Sequence, residues 1–536
     1  MLYDPLYYPY PSRRNVVFAS KGMVATSQSL AAQAGLAMLK KGGNAVDAAV
    51  ATAACLTVVE PPMNGIGGDA FALVWMKDQL YGLNASGPAP ASLTADQVIK
   101  LGFKEMPQTG WLPVTVPGAP AAWTALIERF GNLTLEQVME PAIEYAETGY
   151  PVSIVSSLIW DSSFQQYNSL KGTEYHAWFT TFAPEGRAPR AGEKWRSPAQ
   201  ARTLQQIAET KAKAFYEGKL AGQIVSFAKQ CGGYLREEDL ANFRPDWVEP
   251  IKVDYRGYDV WEIPPNGHGL VTLMALNILK GFDFDPESKE AAETYHKQFE
   301  AIKLAYADGL AYIADRQYMT TSVSDLLSEA YAAERRNLIG KEALLPAPGS
   351  PPDGGTVYLA TADEDGNMVS FIQSNYKGFG SGIVVPDTGI ALHNRGVGFS
   401  LDSRHPNCLA PGKKPYHTII PGFLTKQGKA VGPFGVMGAF VQPQGHLQMI
   451  MNTVDFHLNP QAALDAPRWQ WIQEKTIQVE PQFPEAVAET LARRGHVIER
   501  TVGNTTMGRG QIIWRDEAGV LAGGTEPRTD GAVAAW

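Results

Sequence analysis

The sequence predicts a mixed α/β (α+β) protein, and three observations carry that expectation. Apolar residues recur at helical spacing through the first two thirds of the chain, between loops rich in proline and glycine. A breaker-rich stretch follows, Leu344 to Gly355 (LLPAPGSPPDGG), with four prolines and three glycines, and it reads as an exposed, mobile connection. Beyond it the pattern becomes dense β: TVYLATAD, the turn Glu364-Asp365-Gly366-Asn367, then MVSFIQS. Asp-Gly between alternating strands is a hairpin signal.

Each element follows from local rules. LAAQAGLAMLKK, ending at Lys41, has helical spacing, and Gly42-Gly43 stops it. Asn44 is placed to cap the next helix, AVDAAVATAACL. Both runs are rich in alanine and read as interior helices. Gly65, Gly67 and Gly68 invite a phosphate-loop reading. A dinucleotide fingerprint follows a strand and opens a helix, whereas this cluster follows Pro61-Pro62 and opens a strand, Phe71–Met76. A tight turn below a sheet is the expected role. Lys77-Asp78 then turns the chain into a second strand, LYGLNA. PAAWTALIERFG, TLEQVMEPAIEYAETG and the run from Ala291 to Asp315 supply further helices. After the first late hairpin, GFGSGIVVPDTGIALHN reads as β, and HTIIPGFLTKQGKAVGPFGV as a hairpin turning at Lys426–Gly428.

Composition excludes several classes. The 536 residues carry 46 Lys+Arg and 55 Asp+Glu, a net charge of −9, which offers no footprint for phosphate backbones. Nucleic acid is not expected as a partner. No apolar run reaches the ~18 residues of a membrane span, so no membrane partner is expected either. The opening MLYDPLYYPYPSRRNVVFASKG lacks the apolar core of a secretory signal, and the chain reads as cytoplasmic. Cys55, Cys231 and Cys408 lie far apart, with no CxxC, and read as buried thiols in a reducing compartment.

The chemistry-bearing residues are sparse. There is no HExxH, no zinc-like spacing and no G-x-S-x-G, so a metallohydrolase and an α/β-hydrolase serine are not indicated; no metal is expected. His446 reads as a packed or surface histidine, and His393, His405 and His417 as weak site candidates. The Gly355-Thr356 junction is more informative. Cutting that bond would expose Thr356 with a free α-amine of pKa near ~8, a built-in general base beside its hydroxyl. Such a nucleophile needs backbone N–H donors for an oxyanion, which Gly435, Gly438 or the Gly378–Gly382 loop could supply. A threonine opening a strand after a turn is also common without any chemistry.

Resemblance sharpens this reading. KKGGNAVDAAVATAACLTVVEPPMNGIGGDAFALVW, VPGAPAAWTALIERFG, IPPNGHGLVTLMALNIL, EAIKLAYADGLAYIAD, TVYLATADEDGNMVSFIQSNYKGFGSGIVVPDTGIALHNRG and NTVDFHLNPQAALDAPRWQ, in that order, resemble γ-glutamyltransferases. These are self-cleaving N-terminal-nucleophile (Ntn) hydrolases, and the resemblance covers nearly the whole chain. It implies an αββα four-layer sandwich, with two stacked, mainly antiparallel sheets. It implies a cut between Gly355 and Thr356, giving a large subunit 1–355 and a small subunit 356–536 that stay interlocked. By the same resemblance Thr356 is the nucleophile and Ser374 the hydroxyl that assists it in processing. Gly438 and Ala439 then stand at the oxyanion-hole pair. The substrate is a small-molecule amide, no cofactor is called for, and a homo-oligomer is left open.

The glutamate clamp departs from the family. Ser86 stands where an arginine holds the substrate α-carboxylate, and His417-Thr418 replace a serine pair with the same task. Tyr376, Arg395 and Gly398 replace the asparagine, the acid or amide and the aspartate that hold the α-amine, and Val357 replaces the threonine after the nucleophile. Gly398 offers no carboxylate for an ammonium, and Arg395 would repel one and welcome a carboxylate. The expected substrate is an amide whose acyl part bears a carboxylate without an α-amine. Glutaryl- or oxamate-like groups fit, as in the cephalosporin acylase-like and oxamate amidohydrolase-like branch. Two alternatives stand beside it: a true γ-glutamyltransferase or glutathione hydrolase, and a catalytically silent binding or scaffold relative.

Overall fold

The computed structural model describes residues 14–346, 355–503 and 507–536. Most of the opening segment, and positions 347–354 of the proline-rich connection, lie outside the described residues. Fourteen strands form two seven-stranded sheets. In chain order they are β1 Val17–Ala19, β2 Gly22–Thr26, β3 Asp69–Met76, β4 Gln79–Ala85, β5 Asp246–Val248, β6 Ile251–Tyr255 and β7 Tyr258–Glu262. They continue with β8 Gly355–Asp363, β9 Met368–Tyr376, β10 Gly422–Lys426, β11 Lys429–Met437, β12 Arg509–Arg515, β13 Leu521–Thr525 and β14 Ala532–Ala535. One sheet runs β14-β2-β8-β9-β3-β4-β5 and the other β1-β13-β12-β11-β10-β7-β6. Every neighbouring pair in these two sheets is antiparallel. The sheets pack face to face through β8 and β9 against β11 and β12, and helices cover both outer faces, which makes the expected αββα sandwich.

The alanine-rich helices are interior, as their composition requires. They are α1 Ser29–Lys40 and α2 Ala45–Val59, and every residue of α2 is buried. A Cβ at Gly35 would overlap the Thr52 hydroxyl, so only glycine lets α1 and α2 approach this closely. Asn44 caps α2 by accepting from the Val46 and Asp47 amides, and Asp47 returns the bond to the Asn44 amide at 2.8 Å. The same buried carboxylate accepts from the Asn132 and Leu133 amides, at 3.0 and 3.1 Å, in the loop between α3 Ala119–Phe130 and α4 Leu135–Thr148. Asp47→Ala strands three backbone donors. It is expected to destabilise by about 2–4 kcal/mol, read as a lowered unfolding midpoint in calorimetry, with Asp47→Asn recovering part.

Lys77 and Asp78 both have positive φ, 51° and 60°, as a two-residue hairpin between β3 and β4 demands. Three expectations need correction. The segment GFGSGIVVPDTGIALHN forms only the short pair Val384–Val385 and Ile390–Ala391, because its glycines and the 386–389 turn interrupt pairing. Cys55 is buried, but Cys231 and Cys408 are half-buried. The start of the proline-rich connection is held rather than free, since Leu344 N donates to Glu300 Oε2 at 3.1 Å and Lys303 Nζ donates to Leu344 O at 3.0 Å. No helix among the described residues is long and apolar enough to cross a membrane.

Candidate active site

Four neighbouring strands end in one row of polar side chains. Thr356 is the second residue of β8, Ser374 lies near the end of β9, Asp69 opens β3 directly opposite Ser374, and Ser86 follows β4. Sheet spacing of about 4.8 Å per strand sets Thr356 beside Ser374 and leaves Ser86 three strands away. The β8–β9 register slips between Gly355 and Val357, so a bulge falls opposite Thr356. Bulges re-aim side chains, and this one is accompanied by Tyr376 at φ 75°, a conformation that a bulky residue adopts only when its surroundings impose it.

Thr356 Oγ1 donates to Ser374 Oγ at 3.2 Å, and Ser374 Oγ also accepts from Tyr376 N at 2.7 Å and Arg395 Nη2 at 3.1 Å. The guanidinium therefore lies within two hydrogen bonds of the Thr356 oxygen. Arg395 Nη1 donates to Thr418 Oγ1 at 2.7 Å, and its carbon lies 4.5 Å from the Tyr376 ring centroid. Arg395 is fully buried, which lowers its pKa to about 10, with Asp69 and then Tyr376 opposing the shift. It remains a cation at neutral pH.

The glycine cluster is structural, as its place before a strand predicts, and it also positions the site. Gly68 N donates to Gly65 O at 3.1 Å, and Gly68 O accepts from Gly118 N and Ala119 N, both at 2.9 Å, at the start of α3. A Cβ at Gly67 would overlap the Ala391 carbonyl oxygen, and one at Gly68 would stand 2.7 Å from Ser374 O. This close approach seats Asp69 against Ser374 and brings His393 alongside. His417 Nε2 donates to Asp69 Oδ2 at 2.9 Å, and His393 Nδ1 lies 3.6 Å from the same oxygen. His393 Nε2 donates to Thr115 O at 3.0 Å, which leaves Nδ1 as a bare lone pair. Burial drives both imidazoles towards neutrality, His393 down to about 3 and His417 well below its ordinary value. Burial pushes Asp69 up to about 7 against the opposing pull of Arg395.

On the facing sheet, β11 ends at Met437, and Gly438 and Ala439 take φ of 131° and 50° before helix α5 Val441–Val454 begins. Among the described residues neither amide donates to a protein acceptor. Gln442, in the first turn, accepts from Ile420 N at 2.9 Å, which aims Nε2 at Thr356 Oγ1, 3.5 Å away. The helix start therefore faces the Thr356 hydroxyl.

The remaining sequence candidates fall elsewhere or play other parts. Ser86 Oγ donates to Asn84 Oδ1 at 2.7 Å and meets Asn266, without reaching the Thr356 group. A cleft of about 620 Å³, lined in part by Asn84, Asn266, Arg316 and Lys414, reaches this pair, and Thr356 is not among its lining residues. Gly398 O accepts from Asn407 Nδ2 at 2.5 Å. Gly435 lies inside β11 against the Tyr358 ring, and the Gly378–Gly382 loop packs on Tyr167. His405 bonds Leu310 O in a loop, and His446 is packed against Glu262 at 2.6 Å. Among the described residues one group has ligand atoms close enough for a metal: His296, Glu300 and His496, within 4.8 Å. Lys303 Nζ, 2.5 Å from Glu300 Oε1, already places a cation on that carboxylate. Sequence reasoning missed Asp69 and Gln442. Asp69 falls between the glycine cluster and the expected strand Phe71–Met76, and Gln442 belongs to no recognisable motif.

The family model described as Gamma-glutamyltranspeptidase matches residues 31–536. The chain belongs to the gamma-glutamyltranspeptidase family. It is 39% identical over 528 residues to the glutathione hydrolase-like YwrD proenzyme of Bacillus subtilis, covering 96% of this chain and 98% of that one. It is 33% identical to the oxamate amidohydrolase proenzyme of Klebsiella pneumoniae, covering 97% and 99%. The solved cephalosporin acylase from Bacillus halodurans shares 61% identity at a TM-score of 0.97, over 100% of this chain and 99% of that one. With this family and this Ntn-hydrolase fold, the chain is an enzyme acting on amide bonds.

Proposed function

We propose that the chain is a self-processing amidohydrolase whose nucleophile is Thr356, acting on acyl groups that carry a carboxylate and lack an α-amine. The observation that carries this reading is the Arg395 guanidinium, buried and charged, within two hydrogen bonds of Thr356 Oγ1 through Ser374. Cleavage between Gly355 and Thr356 yields a large subunit 1–355 and a small subunit 356–536. Each sheet contains strands from both sides of that bond, so the two pieces remain one folded unit. The freed α-amine takes the Thr356 hydroxyl proton as Oγ1 attacks the amide carbonyl. The Gly438 and Ala439 amides receive the oxyanion, and the leaving amine departs protonated. Water then hydrolyses the acyl-enzyme. Arg395, with Thr418 and Tyr376 fixing its plane, holds the substrate carboxylate.

The names of the relatives support both halves, since they include proenzymes, an oxamate amidohydrolase and a cephalosporin acylase. Side-by-side kcat/KM for γ-glutamyl anilide, glutaryl anilide and oxamate tests the reading. A preference for γ-glutamyl would return the protein to glutathione hydrolysis. A chain that stays whole, with no turnover of any of the three, would return it to the scaffold reading. The base must be neutral to act, so kcat at saturating substrate rises with pH through the α-amine region near ~8. A kcat flat from pH 6 to pH 9 counts against the amine as base.

A further inference from the structure

Asp69 is a fully buried carboxylate that takes no part in the bond-breaking steps at Thr356. It opens β3 opposite Ser374, so it and Arg395 flank the same residue. Arg395 is the strongest charge acting on it. The charged and titratable groups that face it are Arg395, His393, His417 and Lys414, with His268 behind His417 and Tyr216 from the neighbouring helix. Two of these contacts are asymmetric. His417 Nε2–H gives Asp69 Oδ2 a hydrogen bond. His393 Nδ1, a lone pair with no partner, points towards the same oxygen. An ionised Asp69 faces that lone pair unfavourably, whereas a protonated one has it as an acceptor 3.6 Å away, which a small closure brings into hydrogen-bond range. The cradle is thus built for both protonation states.

We infer that Asp69 is a specificity-determining residue: the buried counter-ion of Arg395, which takes up one proton when a substrate carboxylate claims the guanidinium. This rests on the reading of Arg395 given above. Without substrate, Arg395 and ionised Asp69 balance. A second carboxylate would leave one cation between two buried anions, and a site so dehydrated sheds the excess charge by protonation rather than holding it. The proton comes from solvent and settles on Asp69 Oδ2, between His417 Nε2–H and His393 Nδ1. The net charge of the site is then unchanged by binding. The direct support for a titration in the working range is that burial already holds Asp69 up to about 7.

The consequence is a pH-dependent affinity for anionic acyl groups. As pH rises above neutrality Asp69 ionises, competes for Arg395, and KM for a carboxylate substrate rises by about tenfold per pH unit. Glutaryl anilide and butyryl anilide see the same α-amine, so the ratio of their KM values isolates the carboxylate. On the processed wild-type enzyme that ratio is expected to climb from pH 7 to pH 9. Asp69→Asn is neutral at every pH, so it matches the charge of the protonated form; with its amide oxygen at the Oδ2 position it keeps the acceptor for His417. In that variant the ratio is expected to be flat, and KM for glutaryl anilide at pH 9 to fall below that of wild type, an effect that damage to the fold would not produce. A constant preference for glutaryl at every pH in wild type overturns the role of Asp69 and leaves Arg395 standing. No preference for glutaryl over butyryl at any pH overturns the Arg395 reading itself. The wild-type ratio is decisive even if Asp69→Asn does not process.

Discussion

Replacing Thr356 with alanine is expected to leave a single 536-residue chain and to abolish turnover. In the proposed mechanism both events need the same hydroxyl: in processing Oγ1 would attack the carbonyl of Gly355, and in catalysis the substrate amide. Loss of a covalent nucleophile typically removes about 10⁴–10⁶ of rate, far more than any neighbouring contact. Thr356→Ser keeps the oxygen and loses only a methyl group, so it retains part of each activity. Intact-mass measurement on fresh protein, followed over days at neutral pH, reads the first event, and anilide hydrolysis reads the second. The surroundings make the result specific to the hydroxyl. Thr356 is buried between Ser374 and Gln442, and the alanine side chain fits the same space without disturbing β8. If Thr356→Ala still divides at 355/356, another group is the nucleophile.

The parts of the fold that were legible in the sequence are those set by neighbours along the chain. The Asn44 cap, the glycine stop before it and the Lys77-Asp78 hairpin all rest on rules spanning a few residues, and all are present. The Thr356 and Ser374 pairing was reachable because a hairpin joins their strands. Asp69 was not, because its partners are His417, 348 positions away, and Arg395, which meets it through space. Gln442 was hidden for a related reason: its position on the first turn of α5 has meaning only once β8 is known to lie beneath it. The 378–394 segment misled in the other direction. Its alternation suits a strand, but its glycines are needed for close passage, since a Cβ at Gly380 would overlap the Leu392 carbonyl oxygen. Backbone contact of that kind leaves no regular edge for a partner.

Arg395→Gln is expected to lower kcat/KM for glutaryl anilide by about 10²–10³ while changing that for butyryl anilide by less than about threefold. A buried carboxylate paired to a guanidinium loses several kcal/mol when the cation is removed, and each 1.4 kcal/mol is about a factor of ten. Glutamine keeps a donor for Ser374 Oγ, and Asp69, left without its cation, becomes neutral, so the hydroxyl network survives. Arg395→Lys restores charge but not the fork that reaches both Thr418 Oγ1 and Ser374 Oγ, and should recover only part of the loss. The same logic sets the wild-type preference. A γ-glutamyl group adds an ammonium beside Arg395, with no acid at position 398 to receive it, so it should be poorer than glutaryl by at least about tenfold. Restoring that acid is closed to a simple substitution. Gly398 has an ordinary φ, yet a Cβ there would overlap the Tyr416 carbonyl oxygen, so Gly398→Asp must displace the 395–398 turn before it can bind anything. The decisive comparison is therefore Arg395→Gln on the glutaryl and butyryl pair. Equal losses on both substrates would mean that Arg395 serves the hydroxyl network and not the carboxylate.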